Sequence, residues 1–406
     1  MSAGMATDGD ADYRGYTRED LDEARRQIQL ERFPINYQRL MAEIEQRRID
    51  AENSAATAAT AKAVARYKIE FRADGKEYFR IWIVNLALTV VTLGIYSAWA
   101  KVRKLRYFYA NTSLAGSSFG YHADPLRILK GRAIAAVLVG AYVAAGYVSP
   151  LAALAVAAVL TLVTPWLVVK SRMFALRVTS WRGLRFDFRA DYRGAYRALL
   201  GWLVLSVISV GLLMPLFVRE RYRFIVTRSG FGGSYFECNP GIRRFYKTVL
   251  VAMGIGIAVI IAVGITLGVI IGLTAGHQVS ASAARFMSMM SAALLYAALL
   301  PMVLGYTHAR NLNEVIGHTS LGPHRLRSSL SAQRLIGIYF TNGLGMLLTL
   351  GLFTPWAQVR LTRYRFEAVE VEVHGSLDEF VATTAARVPA AAGEEISSLF
   401  DIDFGL

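Results

Sequence analysis

The sequence predicts an α-helical polytopic membrane protein with internal repeats, short cytoplasmic β-hairpins forming a small sheet, and a soluble helical N-terminal extension. Three observations carry that prediction. The segment from Ile81 to Ala100 runs for twenty residues without a charge, about the length a helix needs to cross a hydrocarbon core. The motif TLGIYSAWA at 92–100 returns as TLGLFTPWA at 349–357. Hydrophobic residues make up 54% of the 406 and charged ones only 18%, which is more apolar surface than a soluble fold of this size buries.

Residues 1–65 are expected to form an N-terminal cytoplasmic helical extension and linker. They carry 12 acids and 9 bases. Thr17 followed by Asp20 opens a helix toward Glu31, Pro34 breaks it, and a second charged helix runs from about Asn36 to Glu52. The small-residue run from Ser54 to Ala61 is a linker or a helix extension. A solvated tail is the plain reading, and a cytoplasmic protein partner recruited through residues 1–65 is the other. No charged, short apolar, small-residue cleavage pattern precedes residue 81, so the first apolar segment is expected to be retained.

Residues 66–380 form the membrane domain. Seven apolar segments, about 81–100, 133–148, 151–169, 198–218, 248–275, 286–306 and 335–357, contain no Asp, Glu, Lys or Arg. The second and third are joined by GYVSP, and the fifth and sixth by a loop around His277 to Ala284 without Lys or Arg, so each couple reads as a helical hairpin. The other connectors are basic, at Lys101 to Phe108, Lys170 to Arg177, Arg219 to Phe224, Arg243 to Lys247 and Arg360 to Arg365. From Arg66 to Arg365 there are 35 Lys or Arg against 9 Asp or Glu. Seven straight spans would divide these cations between both faces, against the positive-inside rule. The other course sends segments one, four and seven back as re-entrant helices, broken at Gly94, at Gly211 with Pro215, and at Gly351 with Pro355. That course leaves four crossings and both termini cytoplasmic. The sequence leaves both courses open.

The repeat extends beyond the motif. At one offset Asn85 meets Asn342, Val102-Arg103 meets Val359-Arg360, and Arg106-Tyr107 meets Arg363-Tyr364. A weaker middle copy matches Phe71 to Asp74 with Phe188 to Asp191, and Gly94 with Gly211. After each basic exit comes an alternating stretch with turn residues, such as YFYANTSLAGSSFGY or RFIVTRSGFGGSYF, read as strands and hairpins. Open sheet edges do not sit in lipid, so these belong in water.

Candidate contact residues follow from this layout. Trp99 and Trp356 suit headgroup depth, and Arg103, Arg106, Arg360 and Arg363 suit lipid phosphates, which makes anionic membrane lipids the expected partners. Asn85 and Asn342, lying among apolar residues, are expected to share an interhelical hydrogen bond. Gly264, Gly268 and Gly272 line one helix face for packing, within the chain or in a homo-oligomer. His308, His318 and His324 match no i, i+4 pair, so zinc is not expected, and the one thiol, Cys238, reads as packed. No Walker loop, nucleophile elbow or zinc-helix motif occurs, so no catalytic, cofactor-binding or metal residue is assigned and no enzyme is expected. Nucleic acid is not an expected partner, because the cations punctuate apolar segments instead of forming a basic face. Residues 381–406 read as a flexible acidic C-terminal tail.

The run YFRIWIVN at 78–85, then TLGIYSAWAKVRKLRYFYANTSLAG at 92–116, then FGYHADPLRILKGR at 119–132 resembles the YjgN-like family of bacterial multi-pass inner-membrane proteins. The resemblance covers about residues 66 to 380 and implies a multi-pass protein of the bacterial inner membrane, of uncharacterised function and with no catalytic residues to carry over. Ala98 stands where the last copy has Pro355, and the middle copy has Leu216 in place of the tryptophan, so kink and anchor are not shared by all copies. Two functions remain open. One is a lipid-handling or small-solute membrane conduit without an ionisable midplane coupling residue; the alternative is a non-transporting membrane scaffold that recruits a cytoplasmic partner.

Overall fold

The computed structural model describes residues 8–62, 64–274 and 280–387. The chain divides into two units, residues 1–65 with 374–376, and residues 66–373 with 377–406. The loop expected between the fifth and sixth apolar segments falls partly, and the chain beyond 387 wholly, outside the described residues.

In the first unit, α1 (Arg18–Gln27) opens on a capping box in which the Asp20 amide donates to Thr17 Oγ1 at 3.2 Å and the Thr17 amide donates to Asp20 Oδ2 at 3.0 Å. Pro34 does not merely break the chain. It starts α2 (Pro34–Lys62), where a missing N–H costs nothing, and the helix continues through the small-residue run. Tyr13, Leu21 and Leu40 form a small buried core between the two helices.

The second unit is built from helical pairs strung between strands of one sheet. Strand β1 (Val64–Phe71) leads to α3 (Gly75–Val91) and α4 (Ser97–Ala110), which return to β2 (Thr112–Leu114). Strand β3 (Ser117–Tyr121) leads to α5 (Pro125–Val148) and α6 (Pro150–Arg177), then β4 (Thr179–Trp181). Strand β5 (Leu184–Phe188) leads to α7 (Tyr192–Ala195), a π-helical turn at Tyr196–Gly201, α8 (Trp202–Ile208) and α9 (Met214–Arg228), then β6 (Ser229–Phe231). After β7 (Ser234–Tyr235), β8 (Glu237–Cys238) leads to α10 (Ile242–Thr274) and α11 (Ala281–Gly317), then β9 (Thr319–Leu321). Finally β10 (His324–Ser328) leads to α12 (Ala332–Leu348) and α13 (Thr354–Glu367), then β11 (Val369–His374) and α14 (Leu377–Arg387).

The expected small sheet is corrected: these strands make one sheet of 11, in the order β7-β6-β5-β4-β3-β2-β1-β11-β10-β9-β8. The physical reason is the shortness of the strands. A hairpin of three to five residues is marginal alone and leaves an open edge, so the hairpins pair with one another, with Phe119 opposite Trp181 and Phe186 opposite Phe231. The end strands β7 and β8 are separated only by Phe236, so the sheet is nearly closed. Ala115-Gly116 (φ +48°, +76°) and Arg182-Gly183 (φ +48°, +79°) turn two of the hairpins, the positive φ pair that a two-residue turn needs to match strand twist. Helix α14 brings Leu377, Phe380 and Val381 against Trp181, Phe231 and Leu321 of the sheet. The chain is therefore still helical past residue 381, where the flexible tail was expected to begin.

Three of the helical pairs are elbows. The helix breaks after Val91, Ile208 and Leu348, and each break has one geometry: Leu93-Gly94, Val210-Gly211 and Leu350-Gly351 all have positive φ. The amides of Gly94, Gly211 and Gly351 each donate, at 2.7 Å, to the carbonyl five residues back, of Thr89, Ser206 and Met346, the long bond of a helix C-cap. The hydroxyls of Thr92, Ser209 and Thr349 then accept from the amides of Tyr96, Leu213 and Phe353 at 2.9 to 3.1 Å and start the returning helix. Helices α3 and α12 are 17 residues each, about 26 Å long. The other two pairs, α5 with α6 and α10 with α11, are long hairpins. Among the described residues four stretches are long and apolar enough to cross a membrane: Pro125–Val148, Pro150–Arg177, Ile242–Thr266 and Arg285–Gly317.

Candidate functional site

The first elbow and α5 line an open cavity of about 350 Å³. Asp74 starts α3 by accepting from the amides of Lys76 at 2.8 Å and Glu77 at 3.0 Å, and this start sets which side chains face α4. Tyr78, Trp82, Asn85, Leu86 and Thr89 then fall on one helical face and line the cavity. From α4 come Ser97, Ala100, Lys101 and Lys104 at the same spacing; α5 adds Arg132 and α13 adds Gln358. Three cations and no carboxylate line it.

The wall is firm. Tyr78 stacks edge-on to Phe108 at 4.9 Å and donates to Gln358 Oε1 at 3.0 Å. Burial pushes its hydroxyl pKa up to about 12, so it is a neutral donor at physiological pH. Lys104 rests over the Phe108 ring at 5.6 Å, and burial pushes its ammonium below its ordinary pKa. Asn85 is only 6% exposed, and its Oδ1 accepts no hydrogen bond among the described residues. A buried acceptor left so costs about 1–3 kcal/mol and calls for an explanation in a ligand or water.

The structure does not join Asn85 to Asn342. Asn342 donates to Ala357 O at 3.2 Å, and Arg360 reaches its Oδ1 at 3.4 Å and Thr341 Oγ1 at 2.7 Å. Helix α3 packs on α13 while α12 packs on α11, which keeps the two amides in separate pairs. Arg363 donates to Ala73 O at 2.6 Å and Arg106 to Ala123 O at 3.3 Å, so both clamp the loops that begin α3 and α5. Arg103 stays exposed. Trp356 stacks on Phe79 at 4.9 Å and Trp99 on Tyr96 at 6.1 Å, both half-buried in protein. Gly264, Gly268 and Gly272 face open space within the chain. His308 contacts Tyr339 Oη at 2.8 Å, His318 the Glu314 carbonyl at 2.8 Å, and His324 the Phe380 ring at 4.5 Å, three separate surroundings. Cys238 is buried beside Phe245 and Val315.

Sequence reasoning missed Lys101, Lys104 and Arg132 as a set, having read the two lysines as connector charges and Arg132 only as part of the run that carries the family resemblance. The available signal was the helical spacing of 78, 82, 85, 86 and 89 against 97, 100, 101 and 104.

A family profile described as "Bacterial protein of unknown function (DUF898)" matches residues 66–399. The chain is similar to "Inner membrane protein YjgN" of Salmonella typhimurium strain LT2, 24% identical over 366 residues, 78% of this chain and 91% of that protein. It is similar to the protein of the same name from Escherichia coli strain K12, 30% identical over 154 residues, 36% of this chain and 37% of that protein. No solved structure matches.

Proposed function

The chain belongs to this DUF898 family of bacterial proteins of unknown function and is an inner-membrane protein, and from that premise we propose that it handles anionic lipid. One observation carries the reading: the cavity of the first elbow puts Lys101, Lys104 and Arg132, without a carboxylate, against the apolar walls of Trp82 and Leu86. Cations meet a phosphate and the apolar wall meets the start of an acyl chain. Of lipid handling and solute conduction, this amphipathic lining favours the first.

Topology supports the placement. Every helical pair leaves a strand of the sheet and returns to a strand of the same sheet. An odd number of crossings in any pair would put neighbouring strands on opposite sides of the bilayer. In this reading α5 with α6 and α10 with α11 cross, the three elbows enter and return, and the sheet and the basic connectors lie in the cytoplasm, as the positive-inside rule asks. The elbow tips also fit lipid. Leu93, Val210 and Leu350 are 95%, 95% and 94% exposed, while holding positive φ at about 1–2 kcal/mol each. Aliphatic side chains presented so openly at strained positions suit a hydrocarbon surrounding.

The test is lipid retention by the purified full chain, read by native mass spectrometry. Phosphatidylglycerol is expected to stay bound in excess of phosphatidylcholine, and the Lys104→Ala/Arg132→Ala variant to lose that excess. Equal retention of the two lipids by wild type would sink the reading. The scaffold reading draws on a separate observation, the small independent core of Tyr13, Leu21 and Leu40. Deleting residues 1–65 would remove a co-purifying protein if that reading holds.

A further inference from the structure

We infer that the cavity of the first elbow selects a phospholipid headgroup bearing a hydroxyl donor beside its phosphodiester, with Lys104 and Arg132 on the phosphate and Asn85 Oδ1 accepting from the hydroxyl. The inference rests on the lipid-handling reading and deepens it by naming the headgroup class. Its first ground is chemical. Lys104 and Arg132 bring only donors to the cavity, and cations alone take any anion. Asn85 Oδ1 is the buried acceptor left over, on a residue that lines the same space. A ligand that satisfies the whole lining therefore carries an anionic oxygen and an O–H donor together.

The second ground is a comparison within the chain. Asn342 holds the equivalent place in the last elbow, and there Arg360 donates to its Oδ1 at 3.4 Å. That elbow supplies its own donor. In the first elbow the equivalent arginine is Arg103, which is exposed, and no described group donates to Asn85 Oδ1. The cavity differs in the same direction. Lys101 and Lys104 stand where the last elbow has Gln358 and Leu361, so at these two positions the first elbow carries cations that the last one lacks. One copy is closed by its own guanidinium and the other is left open for a ligand's donor.

A free phosphoester such as glycerol 3-phosphate offers the same groups as the lipid headgroup, and the apolar wall of Trp82 and Leu86 is what favours the lipid. The experiment uses the full chain equilibrated in mixed micelles with phosphatidylglycerol or phosphatidylmethanol, read by native mass spectrometry. These two lipids share charge and phosphodiester and differ in the headgroup hydroxyls. Wild type is expected to retain phosphatidylglycerol over phosphatidylmethanol by about fivefold to a hundredfold, the range set by one hydrogen bond to a buried acceptor. Asn85→Leu, branched at the same carbon and losing no protein hydrogen bond, is expected to fold as wild type and to bind the two lipids equally. Asn85→Ser is the second variant should the first fail to fold, with the same expected loss of preference. The wild-type comparison needs no variant. If wild type holds both anionic lipids equally but still prefers them to phosphatidylcholine, the inference is overturned and the lipid-handling reading stands. If no anionic lipid is preferred, that reading falls as well. Displacement of bound phosphatidylglycerol by millimolar glycerol 3-phosphate would overturn the lipid assignment in favour of a soluble phosphoester, and no displacement supports it.

Discussion

The indole of Trp356 lies against the backbone of Gly75, so that a Cβ on Gly75 would clash with Trp356 Cδ1. This contact docks the last helical pair onto the start of the first. Phe79, one turn further along α3, stacks on the same indole at 4.9 Å, and β1 lies beside β11 in the sheet. Gly75→Ala is therefore expected to lower the melting temperature in detergent, at a cost of about 1–3 kcal/mol for overpacking. Trp356→Leu in the same chain should restore part of the loss by making room. A Gly75→Ala variant that melts as wild type would mean that the two pairs are not held together there.

The elbow tips give a second prediction. Leu350→Lys places a cation where the account puts hydrocarbon, at about 2.5–3.5 kcal/mol if the tip is deep. The variant is expected to accumulate in the membrane at a markedly lower level than Leu350→Ala. Equal levels would put the tip in water.

Helix α14 gives a third. Phe380 meets the His324 ring edge-on at 4.5 Å, Arg182 pairs with Asp378, and Thr384 is buried against Gly232. Phe380→Ala removes about 2 kcal/mol of apolar burial. Amide exchange in β4 and β9 is expected to rise while exchange in α5 and α6 stays unchanged. Exchange in β4 and β9 that is the same in Phe380→Ala as in wild type would show that α14 does not cover the sheet.

The base of the first elbow is sensitive to acid. The Glu77 backbone amide, followed by that of Lys76, holds the Asp74 carboxyl below its ordinary value of 3.8. A lowered carboxylate stabilises the fold fully above the unfolded value and loses that contribution as pH falls through the folded one. The melting temperature is expected to fall below about pH 4, and Asp74→Asn should lower it at neutral pH and flatten that acid slope. An unchanged slope would contradict the cap.

Much of the local structure was legible in the residues. The charge-free runs between the basic connectors marked the long hairpins, and Gly94, Gly211 and Gly351 sit at the helix breaks because Gly accepts the positive φ of the cap. The extent of the sheet was not legible. Pairing of Phe119 with Trp181 or of β1 with β11 joins strands far apart in sequence, and strands of three residues carry too little pattern to announce it. The cavity was half legible: Asn85 stood out as polar in an apolar run. Its lack of a partner depends on where Arg103 and Arg360 point, which is a matter of tertiary packing.

The central claim is that every helical pair returns to one face of the membrane. Cys238 is buried and is the one cysteine, so a Cys238→Ala background lets single cysteines introduced at Ala115, Arg182, Gly322 and Ser149 report cleanly. An impermeant maleimide applied to intact spheroplasts is predicted to label Ser149→Cys, in the turn between α5 and α6, and to reach the three sheet turns only after permeabilisation. Labelling of one sheet turn from outside while another stays protected would place strands of one sheet on opposite faces and contradict the account.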